Sequence, residues 1–165
     1  MLFFYLLLSG HYILSLLALA AGAFDMIDGE VARSQNKVTA FGGLLDSTLD
    51  RLADTLLISA FGFASLVRWE LVVSLLTTSY LISYIRSRAE LAGQGKFILA
   101  IGIIERGERL LGIGILVSIL LFLPQPIIWL DLSAVEIGFV FLLILSIITV
   151  YQRFLFSYHY LQNKQ

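Results

Sequence analysis

The chain is 165 residues long and 59% hydrophobic, with a mean hydropathy of +0.91. A soluble domain of this length is far more polar, so that class is excluded. The net charge of −1 says little as a total, and the absence of cysteine rules out disulfides, thiol catalysis and cysteine-ligated zinc.

Residues 1–8 (MLFFYLLL) are apolar but too short for a bilayer crossing, which takes about 20 helical residues. Run on into the next segment, with Ala18-Leu19-Ala20 as a cleavage site, they have some features of a signal peptide. No positive charge precedes them, however, and cleavage there would strip an apolar helix from the acidic residues that follow. They read better as the tail of a helix that begins before this chain does. Five long apolar segments come next, at 11–33, 43–66, 70–91, 97–123 and 134–157. Each is long enough to cross about 30 Å of hydrocarbon. The breaks between them are short and polar: Ser34-Gln35-Asn36-Lys37, Arg68-Trp69-Glu70, Gly93-Gln94-Gly95-Lys96 and Pro124-Gln125-Pro126. With no linker or repeat, residues 1–165 form one domain, an all-α integral membrane protein built as a polytopic helical bundle. The 13 glycines suit close helix packing in lipid.

Folding the segments back and forth puts Arg33, Lys37, Arg51, Arg86, Arg88, Lys96, Arg106, Arg109, Arg153 and Lys164 near one face. Only Arg68 falls at the other, so the crowded face is expected to be cytoplasmic. Trp69 and Trp129 sit at the opposite face, where interfacial aromatics are common.

Ionisable groups inside a membrane segment are expensive and point to function. Asp25 and Asp28 lie three apart on one helix face, with Gly29, Ala32 and Arg33 continuing it. Gly42, Asp46 and Asp50 share a stripe on the next helix at steps of four. A short turn makes the two helices antiparallel neighbours, so the four carboxylates can converge. They cannot all stay charged without cations between them. Hard oxygen ligands suit Mg²⁺ or Mn²⁺, and four acids suffice for two ions, an arrangement used for in-line displacement at phosphorus. Arg33 could clamp a phosphate, and Gly29 and Gly42 would admit a base or phosphate close to the backbone.

Asp25-Met-Ile-Asp28-Gly29-Glu-Val-Ala32-Arg33, then Gly42, Asp46 and Asp50 at their fixed spacings, resembles the signature of the CDP-alcohol phosphotransferase family at all eight fixed positions. The resemblance implies six transmembrane helices behind a short amphipathic helix, a homodimer, and a site at the cytoplasmic face of the plasma membrane. Measured against that layout, the first helix is largely missing from this chain. It also implies that Asp25, Asp28 and Asp46 ligate one metal, and Asp25, Asp46 and Asp50 a second. Asp50 would be the general base on the acceptor hydroxyl. Gly29, Ala32, Arg33 and Gly42 would hold the nucleotide, with Arg33 on the diphosphate. The donor is then a CDP-linked lipid, and nucleic acid is not an expected partner.

The choice of alcohol rests on other stretches. Leu45-Asp46-Ser47-Thr48-Leu49-Asp50-Arg51 lacks the proline and lysine typical of glycerophosphate-using relatives. Ser83-Tyr84-Ile85-Arg86-Ser87-Arg88-Ala89-Glu90, Ile104-Glu105-Arg106-Gly107-Glu108-Arg109 and Thr149-Val150-Tyr151-Gln152-Arg153 look like the inositol-phosphate-using branch. That branch includes users of CDP-archaeol, an ether lipid. Arg86, Arg106 and Arg153 come from three helices at one membrane depth and together could bind a dianion. The resemblance assigns them to the acceptor phosphate. Arg88, Glu90, Glu105, Glu108 and Arg109 read as ion-pair partners that orient the site, and Asp54 as a support behind it. Lys37 reads as a solvated loop charge, and His11 and His159 as interfacial packing residues.

The expected reaction joins inositol phosphate to a CDP-linked lipid and releases CMP. Rival acceptors are free inositol, serine and glycerol 3-phosphate, and a rival donor is CDP-inositol. A transporter with a buried acidic cation site predicts polar residues deep in several helices, but the segments outside the motif are nearly free of them. A non-catalytic assembly factor predicts the loss of an aspartate, and none is lost.

Overall fold

The structure is a computed structural model, and it describes residues 1–21, 39–93, 102–104, 106–122 and 132–162. Among these, six helices follow in order: α1 (Leu2–Leu8), α2 (Tyr12–Ala21), α3 (Ala40–Phe63), α4 (Trp69–Ala92), α5 (Arg106–Phe122) and α6 (Ala134–Gln162). Residues 22–38, 94–101, 105, 123–131 and 163–165 lie outside the described set. The predicted breaks at 34–37, 94–96 and 124–126 therefore fall outside it, as do Trp129, Lys37, Lys96, Glu105 and Lys164.

The apolar start is two helices, as expected from reading residues 1–8 apart from the segment at 11–33. Gly10 adopts φ +72°, a left-handed conformation open to glycine, and its amide bonds the Leu7 carbonyl at 3.1 Å. This ends α1 before α2 begins. α1 buries Phe3 and Leu7 and packs on α3, where Phe4 meets Phe63 edge-on at 5.5 Å.

α3 starts at a true cap: the Thr39 hydroxyl accepts the Gly42 amide at 3.0 Å. α3 and α4 each have 24 residues, or about 36 Å of helix. The turn between them packs Trp69 against Gly62 and edge-on against Phe63 at 4.9 Å.

α6 is the spine of the bundle and makes its most extensive packing with α4. At their far ends the two helices share one carboxylate. Glu136 accepts the Ser133 amide at 3.0 Å, while Ser133 Oγ accepts the Glu136 amide at 3.1 Å, a reciprocal capping box. The other Glu136 oxygen accepts the backbone amide of Arg68 at 3.2 Å and its Nε at 3.1 Å, just where α4 starts. Against α5, α6 packs glycine to leucine in both directions: Gly112 lies against Leu142, and Gly138 against Leu116.

The structure corrects two expected boundaries. The apolar run at 97–123 is not one helix, because residues 102–104 are non-helical, with Gly102 at φ +148°, and α5 begins at Arg106. α6 continues past residue 157 to Gln162.

Among the described helices, α6 is the one long and apolar enough to cross a membrane. Only 33% of its most apolar stretch is buried within the protein, whereas a soluble core helix would be covered. Phe122, Leu111 and Ile115 on α5 are also 82%, 71% and 62% exposed. So much outward-facing apolar surface fits a hydrocarbon surround, and the fold is an all-α membrane bundle.

Candidate active site

The site grows from α3. Asp46, Asp50 and Asp54 follow at steps of four, and each step turns the stripe slightly around the helix. Asp46 and Asp50 are half-buried, whereas Asp54 is 4% exposed. A carboxylate that deep requires partners. Three arginines supply them. Arg109 Nη2 donates to Asp54 Oδ2 at 2.6 Å, Arg106 Nε lies 3.6 Å from Oδ1, and Arg51 Nη1 lies 4.0 Å from Oδ2. Arg106 and Arg109 are three apart in the first turn of α5, so both face α3. Arg106 also donates through Nη1 to Asp50 Oδ1 and so bridges two acids of the stripe.

α4 and α6 complete the walls. Arg51 donates to Ser83 Oγ, and Thr55 and Tyr80 hydroxyls share a hydrogen bond. The buried Arg153 donates through Nη1 to the Ile82 carbonyl at 3.0 Å. Arg86 reaches along its own helix to Glu90 at 2.9 Å, an exposed pair of small energetic weight.

These groups enclose a cavity of about 720 Å³. Its lining includes Asp46, Asp50, Arg51, Tyr80, Ser83, Arg86, Glu90, Arg106, Glu108, Arg109 and Arg153. The volume is that of a small-molecule site. The α3 wall carries Asp46 and Asp50, and the α4, α5 and α6 walls bring Arg86, Arg106 and Arg153, so the cavity offers places both for cations and for phosphate oxygens.

Of the residues singled out in the sequence, Asp46, Asp50, Arg86, Arg106 and Arg153 meet around this one cavity. Gly42 does not line it; it stands a turn before Asp46, with its amide on Thr39. Asp25, Asp28, Gly29, Ala32 and Arg33 lie outside the described residues. No group of three or more metal-ligating side chains occurs among the described residues. Asp46 and Asp50 still fit a hard divalent ion, because both are carboxylates that line the cavity from successive turns of one helix.

Sequence reasoning did not find the pairing of Asp54 with Arg109, the Arg51–Ser83 link or the Ile82 carbonyl beneath Arg153. The available signals were Asp54, a third acid on the stripe, and Arg109, read as an ion-pair partner that orients the site; that the two meet was not among them.

The family model for CDP-alcohol phosphatidyltransferases matches residues 1–151. The chain is 45% identical over 144 residues to an archaetidylinositol phosphate synthase of Pyrococcus horikoshii, covering 87% of this chain and 69% of that protein. It is 38% identical over 146 residues to a phosphatidylinositol phosphate synthase of Mycobacterium bovis, covering 79% of this chain and 59% of that protein. Among solved structures, it superposes on Mycobacterium tuberculosis phosphatidylinositol phosphate synthase with CDP-DAG bound. The TM-score is 0.71 and the identity 29%, over 93% of this chain and 77% of that one.

Proposed function

The chain belongs to the CDP-alcohol phosphatidyltransferase family, and we propose that it transfers a lipid-linked phosphate from a CDP-activated lipid to inositol phosphate, releasing CMP. The observation that carries this reading is the meeting of Asp46 and Asp50 with Arg86, Arg106 and Arg153, contributed by four helices, around a single cavity. The printed activities of the relatives point the same way.

In this reading the acceptor hydroxyl oxygen bonds to the donor's lipid-side phosphorus. The bond from that phosphorus to the bridging oxygen breaks, and CMP departs with the electron pair. Asp50 takes the hydroxyl proton. Arg86, Arg106 and Arg153 hold the acceptor's own phosphate. Arg106 also touches Asp50, so a phosphate on that guanidinium lies one side chain away from the base. Holding the phosphate therefore orients the attacking hydroxyl. Asp25, Asp28, Asp46 and Asp50 would hold Mg²⁺ or Mn²⁺, two ions per site, whose charge would offset that of the donor diphosphate. Gly29, Ala32, Arg33 and Gly42 would receive the nucleotide. The site opens to the cytoplasm, because the arginine-rich ends lie on one side of the bundle, and the working unit is a homodimer.

The test is CMP release by purified protein in detergent with Mg²⁺ and either CDP-diacylglycerol or CDP-archaeol. Inositol 1-phosphate is compared with inositol, serine and glycerol 3-phosphate. The expected result is release with inositol 1-phosphate alone, lost in Asp50→Asn by at least about a hundredfold. Release with a different alcohol would retain the chemistry and overturn the acceptor. No release with any of them would overturn the enzymatic reading.

A further inference from the structure

A contact outside the cavity joins the segment just before Arg106 to the helix that carries Arg153. Thr149 lies on α6 one turn before Arg153, on the same helix face, and is fully buried. Its hydroxyl donates back to the Leu145 carbonyl at 2.9 Å. That bond fixes the rotamer and turns the oxygen's remaining lone pairs outward. There the oxygen accepts the backbone amide of Ile104 at 3.1 Å, and Ile104 itself is 2% exposed.

Ile104 belongs to the short non-helical segment that leads into α5, two residues before Arg106. The same segment touches α6 a second time at Gly102. A Cβ on Gly102 would fall 2.6 Å from Thr149 Cγ2 and 3.4 Å from Arg153 Nε. Gly102 also sits at φ +148°, where other residues are strained. The segment is therefore pressed flat against α6, without a side chain in between, at the level of Thr149 and Arg153.

We propose that Thr149 is a positioning residue for the acceptor: by holding the Ile104 amide, its hydroxyl sets the start of α5 against α6 so that Arg106 and Arg153 face the same phosphate. The inference rests on the acceptor reading above for what the two arginines bind, but the latch itself is independent of it. Without the hydroxyl, the Ile104 amide would be a buried donor with no acceptor, and the segment would lift to find one. Arg106 and Arg153 would then diverge, while Asp46 and Asp50, on α3, would stay where they are.

The test compares Thr149→Val, which preserves shape and removes the hydroxyl, with Thr149→Ser, which restores it. The expected result for Thr149→Val is a rise in KM for inositol phosphate of about tenfold. KM for the CDP-lipid should stay near wild type while kcat falls with the lost orientation of the hydroxyl, and Thr149→Ser should recover most of both losses. Gly102→Ala should show the same selective rise. An equal effect on both substrates, or none, would overturn the proposal. A second measurement does not depend on the substrate: amide hydrogen exchange at Ile104 should be at least about tenfold faster in Thr149→Val. If wild type releases CMP only with a phosphate-free alcohol, the acceptor reading fails, and exchange at Ile104 still decides the latch. Unchanged exchange there would sink it.

Discussion

The residue on which most of the site's charge turns is Asp54. It lies deeper than the acids to which the reaction is assigned, and it gathers Arg51, Arg106 and Arg109 beneath them. Arg109 is 2% exposed, so removing its partner would strand a charge in a medium that cannot solvate it. Asp54→Asn is expected to cost about 3–5 kcal/mol of stability, read as a lowered unfolding midpoint in detergent. Replacing both members, as Asp54→Leu with Arg109→Met, should recover most of that stability. The double variant should nonetheless lose activity, because Arg106 loses its second anchor. Stability and activity would then separate, and a double-variant cycle measures the coupling. The aspartates of α3 were readable in the sequence because acids at steps of four stand out in an apolar chain. The partner of Asp54 was not. It is 55 positions away, and one-dimensional periodicity carries no information about which charges meet across helices.

At the scale of elements, the bundle is held by contacts at the end remote from the cavity as well as around it. Glu136 closes the first turn of α6 and binds the start of α4 through the backbone and side chain of Arg68. Glu136→Ala removes a cap and an interhelical bond together, at an expected cost of about 2 kcal/mol in the unfolding midpoint. Its distance from the cavity predicts an unchanged KM for both substrates. The reciprocal Gly112–Leu142 and Gly138–Leu116 contacts set the spacing of α5 and α6. Gly112→Val should push the helices apart and cost about 1–3 kcal/mol by the same measurement. That α5 begins at Arg106 was not legible. Phe97 to Ile104 is almost continuously apolar and reads as part of a membrane helix. The break is a backbone event at Gly102, where a positive φ and close packing on Thr149 override hydropathy. The split between α1 and α2, by contrast, was legible in the separation of residues 1–8 from the segment starting at 11: glycine permits the left-handed turn at Gly10, and burial of Phe3 and Leu7 against α3 rewards it.

For the whole molecule, hydropathy indicated helices in lipid, and the exposed apolar surfaces of α5 and α6 agree with it. The bundle's plan places polar chemistry at one end, where α3, α4, α5 and α6 each contribute a charged residue to a single cavity. This is how one site can serve a cation-dependent donor and a phosphorylated acceptor at once. Hydropathy and charge placement were enough to suggest that end. How the arginines would be oriented was beyond them, because orientation comes from bonds such as Arg153 to the Ile82 carbonyl. The central claim is that acidic and cationic walls act on one bound pair of substrates. A crystal structure of the protein with Mn²⁺ and inositol 1-phosphate tests it most directly. The account predicts anomalous Mn²⁺ signal against Asp46 and Asp50, with the inositol phosphorus within reach of Arg86, Arg106 and Arg153. Manganese bound away from those carboxylates, or the phosphate bound outside this cavity, would contradict it.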